Sequence, residues 1–382
     1  MNHLDNMQPS QNPTRTEPVA SKLSQAAWFT IIVLAGLAIF LFFVYFSGVN
    51  SNTRASFADV MTGEAHRPFV TRVLVPWLTR GIAAMMPEFI HGGAESLLGS
   101  GGPIGTLLAE YGSPPGFALE AIISLGLQLL SVLGFAFAFR GLFNNVYKVQ
   151  PLVSNLMTLV ALLGLTPMLF FGYIYDLPNL FLTTLALFCI AAQRKTAYWA
   201  VFTLAVFNKE TAVVLVVPAV LLFWDFPRPS LRKIIIGAAA QVGIFLAIRI
   251  PLGLLFRNNP GEAFENHLLD HIDMFMDYPV LGVISIFVAI GMLLLVFGSW
   301  QKKPAVAVLG ALPGLLFVVL FLLSGIAFEI RIFYEVYAAG FLCILYSLLA
   351  RKAPLESQLP SMQQWMDSLP ALLSRQARSS AE

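Results

Sequence analysis

The sequence predicts an all-α fold, a polytopic bundle of about ten membrane segments. Hydrophobic residues make up 57% of the 382 positions and charged residues only 12%. Soluble domains carry roughly a quarter charged residues, so this depletion indicates a chain that folds in lipid. The apolar positions are gathered into long runs, and about 20 such residues cross a bilayer. A net charge of +2 without a basic stripe argues against nucleic acid as a partner.

The two ends of the chain are polar. Residues 1–25 are rich in Asn, Gln, Pro, Ser and Thr, a composition typical of a disordered tail. The apolar run at 26–46 is too long for a signal-peptide core and is predicted to be the first span. The tail at 353–382 has apolar residues at a spacing that predicts a weak amphipathic helix, more suited to bracing the bundle than to catalysis.

The bundle as a whole is predicted at 26–352. The nine segments after the first are predicted at 116–139, 152–171, 180–192, 197–207, 211–224, 234–256, 280–300, 305–326 and 332–350. The segments at 197–207 and 211–224 are too short for a full crossing, and a re-entrant hairpin is the alternative to two spans.

Basic residues orient the bundle because they concentrate on one set of connections. The positive-inside rule places that side, and with it both termini, in the cytoplasm. The basic residues of this side are Arg140, Lys148, Arg194, Lys195, Arg228, Arg232, Lys233, Lys302, Lys303, Arg351 and Lys352.

Two long connections, at 47–115 and 257–278, are predicted on the outer side. Within the first, residues 69–86 (FVTRVLVPWLTRGIAAMM) suit a helix that lies in the membrane interface, with a bend at Pro76. Residues 92–115 are rich in Gly and Pro and are expected to be irregular.

Four polar tracts interrupt the apolar sequence, and the predicted topology brings all of them to the outer side. Ionisable residues at the edge of the hydrocarbon are costly and usually mark functional sites. The tracts are His66-Arg67-Pro68, Tyr173-Ile174-Tyr175-Asp176, Asn208-Lys209-Glu210-Thr211 and Glu329-Ile330-Arg331. Their convergence favours a catalyst over an inert membrane protein.

Each of these tracts has two interpretations. Asp176 could act as a base or hold a cation, or it could cap the helix that follows. Lys209 and Glu210 could bind a phosphate and orient a hydroxyl, or neutralise each other at a turn. Arg67 and Arg72 match phosphate geometry, or they anchor the loop to anionic lipid.

Further candidates surround these tracts. Asp59, Glu64 and His66 precede the arginines in the first outer loop, and any of them could be a general base. Arg331 and Glu335 are four apart and spaced to form an ion pair on a helix.

A metal site is not predicted. His267 and His271 are four residues apart, but the surrounding acids form no HExxH arrangement. Cys189 and Cys343 lie inside apolar runs, where they are expected to be core residues.

Four stretches carry a resemblance to a known family: HRPFVTRVLVPWL, YIYDLPNLF, FNKETAVVL and FEIRIFYEV. They resemble tracts of a bacterial set of membrane proteins that is grouped with the C-type (GT-C) glycosyltransferases. The resemblance implies a GT-C-like bundle in the bacterial inner membrane. It also implies transfer of a sugar from a polyprenyl-phosphate donor to an acceptor on the outer face.

The resemblance also implies roles for individual residues. Asp59 is the best-placed base, with Asp176 and Glu210 next. His66, Arg67, Arg72, Lys209, Glu329 and Arg331 would bind the substrate, the basic ones at the donor phosphate. The chain departs from the commoner GT-C pattern because it lacks a paired Asp-Asp or Glu-x-Asp near the first span.

Two other classes of function stay open. A transporter or flippase of a lipid-linked or anionic substrate would need a site reachable from both sides, whereas the polar residues here gather on one side. A non-catalytic membrane protein of envelope assembly would tolerate substitution of the carboxylates. Neither a cofactor nor an oligomeric state is indicated.

Overall fold

The computed structural model describes residues 19–47, 49, 52–224, 230–261, 266–325, 330–349 and 355–370. Within these ranges the chain is helical and contains no strand. Seven helical stretches are long and apolar enough to cross a membrane: Gln25–Phe46, Ala118–Val146, Pro151–Met168, Leu231–Leu255, Pro279–Phe297, Ala305–Leu323 and Ile330–Leu349. The prediction of an all-helical, multi-pass membrane protein is confirmed at this level.

The first helix, α1 (Val19–Phe46), begins seven residues before the predicted span. Residues 19–25 therefore continue the helix instead of belonging to a disordered tail. Residues 1–18 of that predicted tail lie outside the described ranges.

The described part of the first long connection, predicted to be an outer loop, contains four α-helices: α2 (Phe57–Thr62), α3 (Leu74–Ala84), α4 (Glu88–Gly99) and α5 (Pro103–Glu110). Pro76 does not bend α3, because it lies in the first turn, where a missing N–H costs no hydrogen bond. The expectation of irregular structure at 92–115 was wrong over α4 and α5. Small buried residues, Ala83, Ala94 and Ala118, pack these helices closely enough to outweigh their poor helix propensity.

The middle of the chain forms α6 (Ala118–Val146), α7 (Pro151–Leu163), α8 (Asp176–Ala191) and α9 (Lys195–Asn208). A 3₁₀ segment (Glu210–Leu215), the short helix α10 (Val216–Ala219) and a second 3₁₀ turn follow. With 16 and 14 residues, α8 and α9 are about 24 and 21 Å long, less than the roughly 30 Å of a hydrocarbon core. Two of the ten predicted segments are thus short α-helices, with polar tracts at the start of α8 and at the end of α9, and the segment at 211–224 is a succession of 3₁₀ and short α-helical turns.

In the described residues from 230 onward, the rest of the bundle is built from seven α-helices. They are α11 (Leu231–Leu255), α12 (Leu268–Asp277), α13 (Pro279–Phe297), α14 (Ala305–Ala311), α15 (Gly314–Ser324), α16 (Tyr334–Leu349) and α17 (Met362–Asp367). The predicted tail helix is present as α17, although it is short and is docked on the bundle by core contacts of Met362 and Trp365. Residues 371–382 lie outside the described ranges.

The centre of the core is the contact between α6 and α8. Two glycines of α6, Gly134 and Gly141, receive the rings of Phe181 and Phe188. A Cβ atom at Gly134 would lie only 2.7 Å from the Phe181 ring, and one at Gly141 only 2.9 Å from the Phe188 ring. The two glycines are seven residues apart, as are the two phenylalanines, so the same close contact recurs two turns later along one face of each helix. This contact fixes α8, whose first residue is Asp176.

Candidate functional site

Charged side chains from five parts of the chain meet at the end of the bundle where α8 begins. We call this group the ion-pair cluster; its members are Arg72, Asp176, Lys209, Glu210, Arg249, Arg331 and Glu335. Three of the four predicted polar tracts contribute to it directly. The contacts therefore join three of the four tracts, and the fourth, at 66–68, makes no described contact with the cluster.

Asp176 lies at the most enclosed point of the cluster and is only 1% exposed. Its Oδ2 atom accepts hydrogen bonds from Arg331 Nη1 at 3.0 Å and from the Tyr173 backbone N–H at 2.8 Å. Its Oδ1 atom accepts no hydrogen bond within the described part of the chain, and Lys209 Nζ is 3.9 Å away. One carboxylate oxygen is therefore held in place by two hydrogen bonds, whereas the other is buried and accepts none from the described residues.

Lys209 lies between two buried carboxylates. Its Nζ atom is 2.9 Å from Glu335 Oε1, which also accepts a hydrogen bond from the Thr211 hydroxyl. Glu335 is 2% exposed, and its Oε2 atom receives no hydrogen bond from the described residues. The predicted pairing of Arg331 with Glu335 is wrong, because a 3₁₀ turn at Ile330–Phe333 precedes α16 and the i,i+4 geometry of a continuous α-helix does not apply.

Glu210 forms the more open part of the cluster. Its carboxylate accepts hydrogen bonds from Arg72, at 2.5 and 3.2 Å, and from Arg249 Nη2, at 2.9 Å. Arg249 also donates to the backbone carbonyl and the hydroxyl of Thr71. Glu210 is one-third exposed, whereas the side chains of Arg72 and Arg249 are about nine-tenths buried. Both of its oxygens are used to align the two guanidinium groups.

Two tyrosines join the parts of the cluster. The rings of Tyr173 and Tyr175 are stacked with their centroids 5.6 Å apart. Arg331 lies 4.1 Å from the centroid of Tyr173, and Arg72 lies 4.4 Å from that of Tyr175. Guanidinium groups bind the faces of aromatic rings, so the two arginines occupy the two ends of one stack.

The cluster carries an excess of positive charge. Among the described residues it holds four cations against three carboxylates. Burial by itself would lower the pKa of Arg72, but the facing Glu210 carboxylate raises that pKa above its usual range. Arg72 therefore stays charged at any physiological pH, and the cluster suits an anionic group.

His66 and Arg67 do not reach this cluster through any described contact. The Arg67 guanidinium donates to the backbone carbonyls of Asn259, at 3.0 Å, and Gly261, at 2.9 Å. The Asn259 amide donates in return to the carbonyls of Gly63 and Ala65. These bonds attach the first long connection to the segment that follows α11, which is a structural use of the arginine.

Asp59 also lies apart from the cluster. It is in the first turn of α2, where its carboxylate accepts a hydrogen bond from the Ser56 hydroxyl at 2.6 Å. No described contact joins it to the cluster. Glu329, the remaining predicted substrate ligand, lies outside the described ranges.

The histidines of the second outer loop stabilise local structure. His271 Nε2 is 2.8 and 3.1 Å from the carbonyl oxygens of Gly325 and Phe321 at the end of α15. His267 Nδ1 is 2.6 Å from Asp270 Oδ2. His267 and His271, whose spacing resembles a metal-ligand pattern, thus make two separate contacts with other residues.

Sequence reasoning missed three parts of the cluster. Arg249 lies within the predicted segment 234–256, and a charge at such a position is itself a signal of a buried partner. Glu335 was assigned to the wrong cation. The stacking of Tyr173 on Tyr175 has no sequence signal, because two aromatic residues two positions apart in a loop are not specifically predicted to stack.

Comparisons of the chain with family models, with curated proteins and with solved structures find no match. The functional assignment therefore depends on the geometry of the cluster and on the four tracts.

Proposed function

We propose that this protein is a membrane glycosyltransferase of the GT-C type, which moves a sugar from a polyprenyl-phosphate donor to a hydroxyl acceptor at the extracytoplasmic face. One observation carries the proposal: a buried carboxylate with an available oxygen, Asp176, lies among cations that exceed the local acids by one charge. A base beside an anion-binding group is what transfer from a sugar phosphate requires.

The balance of the reaction assigns each part of the cluster a task. Asp176 Oδ1 takes the proton of the acceptor hydroxyl as its oxygen forms the new bond to the anomeric carbon. The bond between that carbon and the phosphate oxygen breaks, and the electron pair leaves with the lipid phosphate. Arg72 and Lys209 stabilise the charge that develops there. The proton on Asp176 is then released to water.

Asp176 is a better base than Glu210 for a geometric reason. Both Glu210 oxygens already accept hydrogen bonds from arginines, at distances of 2.5 to 3.2 Å. Protonation of Glu210 would disrupt those bonds, so its task is to align Arg72 and Arg249. Asp59, which the resemblance favours as the base, has no described contact with the cations that would bind the phosphate.

The proposal includes a location. The resemblance implies the bacterial inner membrane, and the charge pattern of the connections favours an orientation with both termini in the cytoplasm, in which the cluster would lie at the outer face. A lipid-linked donor can present its phosphate there while its polyprenyl chain stays in the bilayer. The sequence has no nucleotide-binding fingerprint, which is in keeping with such a donor.

The experiment is mass spectrometry of surface glycans and lipid-linked sugars in a deletion strain complemented with variants. We expect the glycan of the deletion strain to lack one sugar, and we expect the wild-type protein to restore that sugar. Asp176→Asn should not restore it when the variant protein is present in the membrane at the wild-type amount. The double variant Asp176→Asn/Arg331→Gln, which removes one negative and one positive charge, should fail in the same way. Lys148→Gln, on the opposite end of the bundle, is the matched control and should restore it.

Two results would contradict the proposal. Accumulated lipid-linked sugar on the inner side, with normal transfer in isolated membranes, would identify a flippase. Unchanged glycans and lipids in the deletion strain would favour a non-catalytic role in envelope assembly.

A further inference from the structure

The end of the bundle opposite the ion-pair cluster is covered by the C-terminal segment 355–367, which we call the C-terminal clasp. Its backbone pairs with two separate parts of the bundle. The Lys148 and Gln358 amides donate to the carbonyls of Glu356 and Val146, at 2.9 Å each. The Ala305 amide donates to Pro360, and the Met362 amide donates to Lys303. The clasp thus connects the end of α6 to the start of α14.

A third part of the bundle is held by side chains. Trp365 of the clasp packs against Trp224, which follows the last 3₁₀ turn after α10, with ring centroids 4.9 Å apart. Met362 is buried, and Leu355 and Leu359 pack against the same core. Lifting the clasp would expose this apolar surface to water.

Lys303 strengthens the closure from inside. It is fully buried, and its ammonium donates to the carbonyls of Leu295 and Val296 at the end of α13, at 2.6 and 2.7 Å. Its own carbonyl accepts the Met362 amide of the clasp. A buried ammonium satisfied by backbone carbonyls stays in place only while this packing persists.

We infer that the C-terminal clasp keeps this end of the bundle closed throughout the working cycle, so that substrate and product both use the end that holds the cluster. The inference deepens the proposed function, on which it rests, since transfer at one face needs no second opening. Alternating access would instead require the α6, α10 and α14 ends to separate.

The first test is hydrogen–deuterium exchange on the purified full chain, which needs no substrate. The amides of Lys148, Ala305, Gln358 and Met362 should exchange as slowly as those in the middle of α6. Trp365→Ala should speed the exchange of these four amides, whereas Gln363→Ala, at an exposed position of α17, should not. Exchange in wild type as fast as that of an exposed loop would overturn the inference.

The second test locks the clasp covalently. Lys148 and Glu356 face each other across an antiparallel pair, are each 73% exposed, and their charged atoms are 3.6 Å apart. Cβ atoms in such pairs are about 4.5–5.5 Å apart, so Lys148→Cys/Glu356→Cys should form a disulfide on oxidation after a small adjustment. Sugar transfer is then measured by mass spectrometry in membranes from the complemented strain, before and after oxidation, with both single-cysteine variants as controls.

We expect transfer to be the same in the oxidised and the reduced forms. Loss of transfer on oxidation, with recovery on reduction and no loss in the single variants, would show that the clasp must open and would overturn the inference. If wild-type membranes show no sugar transfer at all, the proposed function fails, and the exchange experiment still decides whether the clasp opens.

Discussion

Lys209 lies between the carboxylates of Glu335 and Asp176 and is closer to that of Glu335. Its ammonium is 2.9 Å from Glu335 but 3.9 Å from Asp176. The stronger contact keeps the lysine from forming a hydrogen bond with Asp176 Oδ1. Glu335 therefore acts as a positioning residue in the proposed reaction, because it preserves the free oxygen of the base.

Glu335→Gln tests this role. Without the negative charge, Lys209 should move toward Asp176 and occupy its free oxygen, so the surface glycan should be lost although the protein remains in the membrane. The readout is glycan mass spectrometry in the complemented deletion strain. Glu356→Gln, which removes an exposed acid at the other end of the bundle, is the control and should leave the surface glycan unchanged. A normal glycan with Glu335→Gln would contradict the role.

The Asp176–Arg331 pair has a predictable effect on stability. Both side chains are buried, and removal of one partner from a buried pair costs about 3–5 kcal/mol. Asp176→Asn should lower the midpoint of thermal unfolding in detergent, and the double variant Asp176→Asn/Arg331→Gln should lower it less. A loss in the double variant equal to the sum of the losses in Asp176→Asn and Arg331→Gln alone would show that the charges are not coupled.

At the scale of elements, the α6–α8 contact determines where the site can form. Because Gly134 and Gly141 have no side chain, α6 and α8 approach closely, and the rings of Phe181 and Phe188 fill the space beside the two glycines. Protein interiors have little free volume, so an added side chain must displace the facing helix.

Gly134→Val should destabilise the bundle by about 1–3 kcal/mol, the usual effect of overpacking. Its Cβ atom would lie 2.7 Å from a Phe181 ring atom. Gly126→Val is the matched control on the same helix, since nothing lies within 4 Å of a Cβ atom there. Thermal unfolding of the two purified variants measures the difference. Equal melting temperatures would mean that Phe181 moves aside without cost.

The short helices α8 and α9 are the second feature at this scale. Helix α8 begins at Asp176 and α9 ends just before Lys209, so each has one end at a polar tract of the cluster. Both helices are shorter than a full crossing of the hydrocarbon core.

At the scale of the whole molecule, the two ends of the bundle differ in chemistry. One end holds the ion-pair cluster, and the other holds the clasp and most of the basic connections. The positive-inside rule predicts that the clasp end faces the cytoplasm.

Cysteine labelling tests this orientation. Glu110→Cys, at the end of α5, should react with a membrane-impermeant maleimide in intact spheroplasts. Lys195→Cys, at the start of α9, should react only after the membrane is opened. Both positions are exposed, so a lack of labelling is not explained by burial. The reverse pattern would invert the topology and place the cluster in the cytoplasm.

The sequence by itself determined the class of the fold and the place of the site. Hydrophobic runs specify membrane helices, because backbone groups in lipid must pair within the segment. The cost of charge in lipid singled out Asp176, Lys209, Glu210 and Arg331 before any contact was known, and the structure brings them together.

Only the tertiary structure decided which charges pair. Asp176 binds Arg331 across 155 positions of sequence and Glu210 binds Arg72 across 138, and no local spacing encodes such distances. Local rules failed for the same reason at Glu335, whose spacing from Arg331 predicted a pair that a 3₁₀ turn prevents. Hydrophobic patterning specifies each helix separately, whereas the pairing of buried charges depends on the packing of all the helices together.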